Sequence, residues 1–334
     1  MALLTAGVLT LADWAKRLDP EGNTANIVEL LSQSNEILTD MVWKEGNLPT
    51  GERITQRTGL PSVGFRTLNN GITPSKSTTA QIDEACAMLE AYSEVDKDLA
   101  ELNGNTNEFR LSEAQAFIEA MNQQMATTLI YGNSGATPEQ FDGIATRYNL
   151  TTGATGQNII SAGAVSGSDG MSIYLVVWGP QTVYGIFPKG SKAGIIHENL
   201  GLVTVENANG IGGARMRAYR DHWQWKVGLA VKDWRYLVRI CNIDTSALIA
   251  DPTGATINLL ALMLKAIHRI PMMGMGRPVF YANRTLKEML DIQAMNKSNL
   301  HLQVGEEEGR PKVMFRGIPI RNIDALTMTE ATVS

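Results

Sequence analysis

The chain carries four histidines, His197, His222, His268 and His301, and two cysteines, Cys86 and Cys241. No histidine stands at metal-ligand spacing from another histidine, a cysteine or a carboxylate, so no local metal site is encoded. The cysteines lie far apart, with no motif and no histidine beside either, and free thiols in a reducing compartment are expected. Two glycine clusters invite a nucleotide reading and fail it. Gly210, Gly212 and Gly213 in NGIGGAR lack the spacing and the preceding strand of a dinucleotide loop, and Gly185–Lys192 (GIFPKGSK) has its lysine and serine in the wrong order for a phosphate loop. Both read as turns. No catalytic residue, metal or cofactor is assigned, and an enzyme is not expected.

Charged groups remain. Glu306, Glu307 and Glu308 form an acidic run; a solvated loop is the plain reading, and contact with arginines of another subunit the sharper one. Arg53, Arg57 and Arg66 are the further candidates for intersubunit contact. Arg215, Arg217, Arg220, Lys226, Arg235 and Arg239 read first as a solvated sheet face and then as ion pairs across a subunit boundary. DNA binding comes third, because Asp221 and Asp233 interrupt the patch.

Composition agrees with a protein that works through its surface. Of 334 residues, 44% are apolar and only 19% charged, with a net charge of −5; a typical domain has about a quarter charged. Few charges in a large chain suggest surface hidden against partners, with a well-packed monomer as the alternative. No basic cluster is dense enough to grip nucleic acid through its phosphates. The longest apolar run, Leu259–Leu264, is far short of the roughly 20 residues that span a bilayer. The N-terminus lacks the basic leading region of a secretory signal.

Several elements must position these groups. Residues 1–45 read as an arm with helical pieces. Residues 46–80 are punctuated by Gly and Pro around two strand-like segments, Glu52–Thr58 and Ser62–Leu68, an excursion unable to bury a face of its own. Residues 81–102 have helix-friendly composition. The spacing of Leu111, Ala114, Ile118, Met121 and Met125 predicts an amphipathic helix over 113–131, capped by Ser112 with Gln115 and stopped by Gly132; it would be roughly 28 Å long. A new domain is expected to begin within the Gly/Ser/Thr/Asn-rich residues 132–170. Ile173–Trp178 is a continuous apolar strand, residues 222–231 alternate with period two, and Arg235–Ile240 is the expected partner of that alternating strand. Helices are predicted over 256–270 and 284–295, the latter capped by Asn283 or Thr285. A short strand spans 279–282 and a last one 313–322, broken by Gly317 and Pro319, where proline favours an edge or a strand terminus.

The order of these elements resembles the HK97 fold of tailed-bacteriophage major capsid proteins. Three passages carry the likeness: YGNSGATPEQFDGIATRYN after the long helix, RPVFYANRTLKEMLDIQ, and the terminal KVMFRGIPIRNIDAL. WGPQTVYGIFPKGSKAG with RDHWQWKVGLAVKDWRYLVRI is similar to capsid proteins of the epsilon15-like short-tailed phages. The resemblance implies an α+β chain with an N-terminal arm (1–45), an E-loop (46–80), a peripheral domain (81–150) with spine helix 113–131, an axial domain (151–310) with β-rich insertions, and a return strand (311–334) to the peripheral domain. It implies a homo-oligomer of hexamers and pentamers in an icosahedral head, assembled in the bacterial cytoplasm around double-stranded DNA that is enclosed without specific binding. Its partners would be a portal protein, a scaffolding protein and an outer cement or decoration protein.

Two departures from the type member matter. The E-loop pattern begins near residue 46, leaving no room for a long cleaved scaffolding extension, so a separate scaffolding protein and no maturation cleavage are expected. No lysine lies between Glu45 and Ser75, so subunits crosslinked through an E-loop lysine are not expected; Lys76 is the only nearby candidate. An encapsulin with the same fold, an α+β enzyme and another virion protein are the competing readings.

Overall fold

The computed structural model describes residues 9, 11, 13, 16, 31–102, 104, 106–163, 165, 169–206, 215–296, 302–307 and 310–334. The helices are α1 (Ile37–Asp40), α2 (Lys97–Ala100), α3 (Thr106–Tyr131), α4 (Ile144–Arg147), α5 (Thr245–Ala250), α6 (Leu259–Arg269) and α7 (Arg284–Asn296). The strands are β1 (Trp43–Glu45), β2 (Gly51–Gly59), β3 (Thr78–Ala85), β4 (Ala87–Asp96), β5 (Ile159–Ser161), β6 (Gly170–Trp178), β7 (Val183–Phe187), β8 (Ile196–Glu206), β9 (Arg215–Val231), β10 (Leu237–Asp244), β11 (Arg277–Ala282), β12 (Leu302–Glu307), β13 (Arg310–Phe315) and β14 (Ile318–Asn322). The chain divides into two units: residues 1–33, 88–125 and 194–226, and residues 34–87, 126–193 and 227–334. Among the described residues no helix is long and apolar enough to cross a membrane.

The larger unit is built on β6, whose nine residues are all buried. A strand covered on both faces reads as an unbroken apolar run, not an alternation, and IYLVVW (Ile173–Trp178) is such a run. It lies antiparallel to β10 and β11, and β11 in turn lies parallel to β14. Met171, Ile173, Leu175 and Val177 share one face with Val238, Ile240, Phe280 and Ile320, and Leu259, Leu262 and Met263 of α6 and Leu286 and Leu290 of α7 cover it. Asn258 caps α6 through Ala261 N at 3.1 Å. Asn283 accepts from Thr285 N at 3.3 Å, so it serves α7 in place of Thr285.

Several sequence expectations are corrected here. Arg235–Ile240 does not pair with the alternating strand. Asp233 accepts from Arg235 N and starts a single 3-10 turn, after which β10 joins β6, Leu237 opposite Val176. The final strand is a hairpin, β13 then β14, turned at Arg316 and Gly317 with φ of 52° and 79°. Pro319 is not at a sheet edge but at the start of its strand, the second residue of β14, which is the other position expected of it. β14 lies between β13 and β11, and the β11 pairing begins only at Ile320, so no donor is missed. Of the helix-friendly residues 81–102, 81–85 and 87–96 lie on β3 and β4, and Lys97–Ala100 is helical. Thr78 and Thr79 are β-branched, and along β4 Ser93 and Val95 are buried while Met88, Glu90 and Tyr92 are exposed, a period of two.

In the smaller unit β8 and the first part of β9 form an antiparallel hairpin, Glu206 opposite Arg215 and Ile196 opposite Gln224. Helix α3 starts at Thr106, seven residues before the sequence pattern does. Ser112 therefore lies inside it, donating to Phe109 O at 2.8 Å and capping nothing. Phe117 stacks on Trp223 at 5.2 Å between ring centroids, and Arg110 grips Asp221 at 2.8 Å. Gly132 ends the helix as expected: a Cβ there would stand 2.3 Å from Phe141 O.

Candidate intersubunit surface

Among the described strands β2 and β3 form a two-stranded sheet of their own, from Gly51 opposite Ala85 to Gly59 opposite Thr78. The partner of β2 is thus β3, not the expected Ser62–Leu68, which forms no strand. Between them residues 60–77 run without regular structure, every one exposed. Leu60, Val63, Phe65 and Leu68 are 82% to 109% accessible. Four large apolar side chains exposed within nine residues of a two-stranded ribbon are costly to leave in water.

The root of this ribbon is anchored differently. Ile54 packs with Tyr184, Ile186 and Ala230. Glu52 and Glu84 stand directly opposite each other across the two strands, 5% and 6% exposed. Lys44 of β1 reaches Glu52 at 2.6 Å. Arg147 of α4 donates two bonds to Glu84, at 2.7 and 2.6 Å, and bonds Asp142 O and Leu229 O as well. Burial and the neighbouring Glu52 carboxylate push the Cys86 thiol beside them up to about 11. Backbone approaches backbone closely here: a Cβ on Gly228 would meet Ala85 O at 2.5 Å. Gln56 donates to Lys232 O at 2.8 Å further out, beside a groove of about 590 Å³ lined by residues 55–60, Gln181 and 232–235.

The expected contact residues fall as follows. Arg53 is exposed but held by Asp83 across the ribbon at 2.6 and 2.7 Å. Arg57 and Arg66 are exposed, one on β2 and one in the tip. Glu306 and Glu307 are not in a loop: they close β12, opposite Pro311 and Arg310 of β13. Their side chains, and Glu308 altogether, lie outside the described residues, as does NGIGGAR through Ala214. GIFPKGSK forms the end of β7 and a turn, Ser191 N bonding Pro188 O. Arg239 is no solvated residue. It is 4% exposed and bonded to Glu330 at 2.8 Å. Arg220 and Arg235 pair with Glu94 and Asp233 within their own units. Both cysteines are free, and the described residues hold no group of three or more His, Cys, Asp or Glu placed to take a metal ion. Sequence reasoning missed Glu52, Glu84, Lys44 and Arg147. Only the tertiary register brings them together, and no spacing announces it.

The family model described as "Major capsid protein GP7" matches residues 19–334. The chain belongs to the GP7 major capsid protein family. Its place is accordingly in the shell of a phage head, and its fold is the HK97-like capsid fold. The structure titled for bacteriophage Epsilon15 is 33% identical, with a TM-score of 0.81 over 100% of both chains, which bears out the likeness to epsilon15-like phages. The capsid of bacteriophage JBD30 is 9% identical, with a TM-score of 0.49 over 89% of this GP7-family chain and 92% of its own. The SrpI encapsulin of Synechococcus elongatus is 14% identical, with a TM-score of 0.44 over 71% and 97%. No curated protein matches.

Proposed function

We propose that this chain builds the shell by laying the 51–85 ribbon, which holds most of the expected E-loop (46–80) and the first residues after it, on a neighbouring copy. The apolar tip carries this reading: Leu60, Val63, Phe65 and Leu68 have nothing to bury them within the described chain. Head-to-tail contact of this kind closes into rings, here hexamers and pentamers, and many modest contacts sum to a firm shell. The chain acts by assembly and not by catalysis. The arm (1–45), peripheral domain (81–150), axial domain (151–310) and return strand (311–334) complete the subunit.

A separate scaffolding protein would guide assembly in the bacterial cytoplasm, a portal protein would occupy one vertex, and an outer cement protein would replace the absent lysine crosslinks. The net charge of −5 suits a wall that encloses double-stranded DNA without binding it. Phe65→Ser with Leu68→Ser tests the reading by negative-stain microscopy of protein expressed with its scaffold. A soluble, folded subunit that forms no shells is the expected result. Normal shells would refute the role of the tip. DNA in purified particles separates a phage head from an encapsulin compartment.

A further inference from the structure

We infer that Glu52 and Glu84 with Lys44 and Arg147 form a charge-matched socket that fixes the ribbon's direction before any neighbour is met, so that these four are positioning residues for assembly. The inference rests on the reading that the ribbon docks on another copy.

Like charges placed directly opposite on neighbouring strands destabilise the pair. Glu52 and Glu84 are so placed, and both are buried. An uncompensated buried carboxylate is strongly unfavourable, and an isolated two-stranded hairpin is marginal in water. Detached from the rest of the unit, this root would hold two carboxylates against each other with nothing to answer them. Seated, each meets one cation from a separate element, Lys44 on β1 and Arg147 on α4. Two acids facing two bases admit one seating and reject a slipped one, because a shift of one residue turns both carboxylates to the other face.

Steric fit enforces the same position. A Cβ on Gly51 would fall 1.9 Å from Glu84 O, and one on Gly46 would fall 2.3 Å from Gly51 O. Cys86 N bonds Thr50 O at 2.9 Å, closing the strands at the root. The two halves are unequal. Arg147 is 20% exposed and forks onto Glu84, whereas Lys44 is 42% exposed and makes a single hydrogen bond to Glu52, its ammonium 5.0 Å from the Tyr184 ring centroid. A bidentate, drier pair is the stronger, so Arg147 is the main bolt. Beyond the root, the tip has no such ion pairs among the described residues, which divides the ribbon into a fixed base and a surface available for contact.

Hydrogen exchange followed by mass spectrometry on the unassembled full-length subunit, paired with shell yield in co-expression with scaffold, tests this. Arg147→Gln should speed exchange at least tenfold in peptides covering 51–57 and 78–85, leave 170–178 and 237–244 unchanged, and cut shell yield at least fivefold. Adding Glu84→Gln to Arg147→Gln should return both readings at least halfway to wild type, since the buried charge is then gone. Lys44→Gln should act in the same direction, more weakly, and serves alone if Arg147→Gln does not fold. Unchanged exchange at the root in both single variants overturns the socket. A double variant as loose as Arg147→Gln shows that charge is not its basis. A loosened root with wild-type shell yield overturns the positioning role. Failure of the docking reading shows separately, as normal shells from Phe65→Ser/Leu68→Ser with the root still protected.

Discussion

Replacing Arg239 by methionine should destabilise the larger unit more than most single changes in it. The guanidinium is almost enclosed, its side chain 5% exposed and that of Glu330 6%. It donates to Glu330 Oε2 at 2.8 Å, to Tyr148 O at 2.8 Å, to Ala145 O at 3.2 Å and to Ser172 Oγ at 3.2 Å. Glu330 also accepts from Tyr131 Oη at 2.5 Å and from Ser172. Methionine would fill most of the volume but leave the carboxylate buried without its cation. Breaking one side of a buried pair costs about 3–5 kcal/mol, against roughly 5–15 kcal/mol for a whole domain. For a body of 150–250 residues each kcal/mol moves the midpoint by about 2–4 °C, so the fall should be roughly 6–20 °C. Scanning calorimetry on the unassembled subunit is the suitable assay, because contacts between copies raise apparent stability by mass action. Arg239→Met with Glu330→Leu should recover a good part of the loss, since apolar replacement of a complete buried pair is often near neutral. A fall of under about 2 °C for Arg239→Met would refute the reasoning, because no buried carboxylate of this kind could then have been left unpaired.

Gly228→Ala should cost about 1–3 kcal/mol, the usual penalty for forcing atoms into a filled space, because the new methyl would meet Ala85 O at 2.5 Å; a denaturation midpoint equal to wild type would contradict this. Asp251 accepts from Thr253 Oγ1 at 2.5 Å and Thr256 N at 2.7 Å, and these bonds draw its carboxyl down to about 2. A free aspartate titrates near 3.9, so the bonds favour the folded turn above that value and are lost as pH falls through about 2. NMR titration should find Asp251 still ionised at about pH 3.

Much of the architecture was legible because it rests on local pattern. The run Ile173–Trp178 and the alternation over 222–231 fall in strands, and Leu259–Leu264 and Leu286–Leu290 fall in helices, since burial on one or both faces writes itself into residue order. The failures have physical causes. Met88, Leu89 and Val95 satisfy a helical spacing as well as a strand spacing, and only the neighbours of β4 decide between them. Ser62–Leu68 has strand-like composition, but its apolar residues stay exposed, which composition cannot reveal. Of the charges expected to make contact in this stretch of chain, Arg57 and Arg66 stand exposed. Arg53 is engaged with Asp83 on the same ribbon, while the buried acids at its base come from positions 32 residues apart that meet Lys44 and Arg147 only through the fold.

The opposition of Glu52 and Glu84 also constrains inheritance. Neither position can drift alone: a lineage that loses Arg147 first inherits a subunit with a stranded charge, and one that loses Glu84 first strands a cation. The passable routes run through neutral intermediates such as glutamine on both sides, taken close together. Lys44 and Glu52 form a second, looser linkage, since half of that pair is open to water. Four positions scattered from 44 to 147 should therefore change in two partnerships, the Arg147 partnership more slowly, while on the proposed docking the tip residues between them vary with the surface they meet on a neighbouring copy.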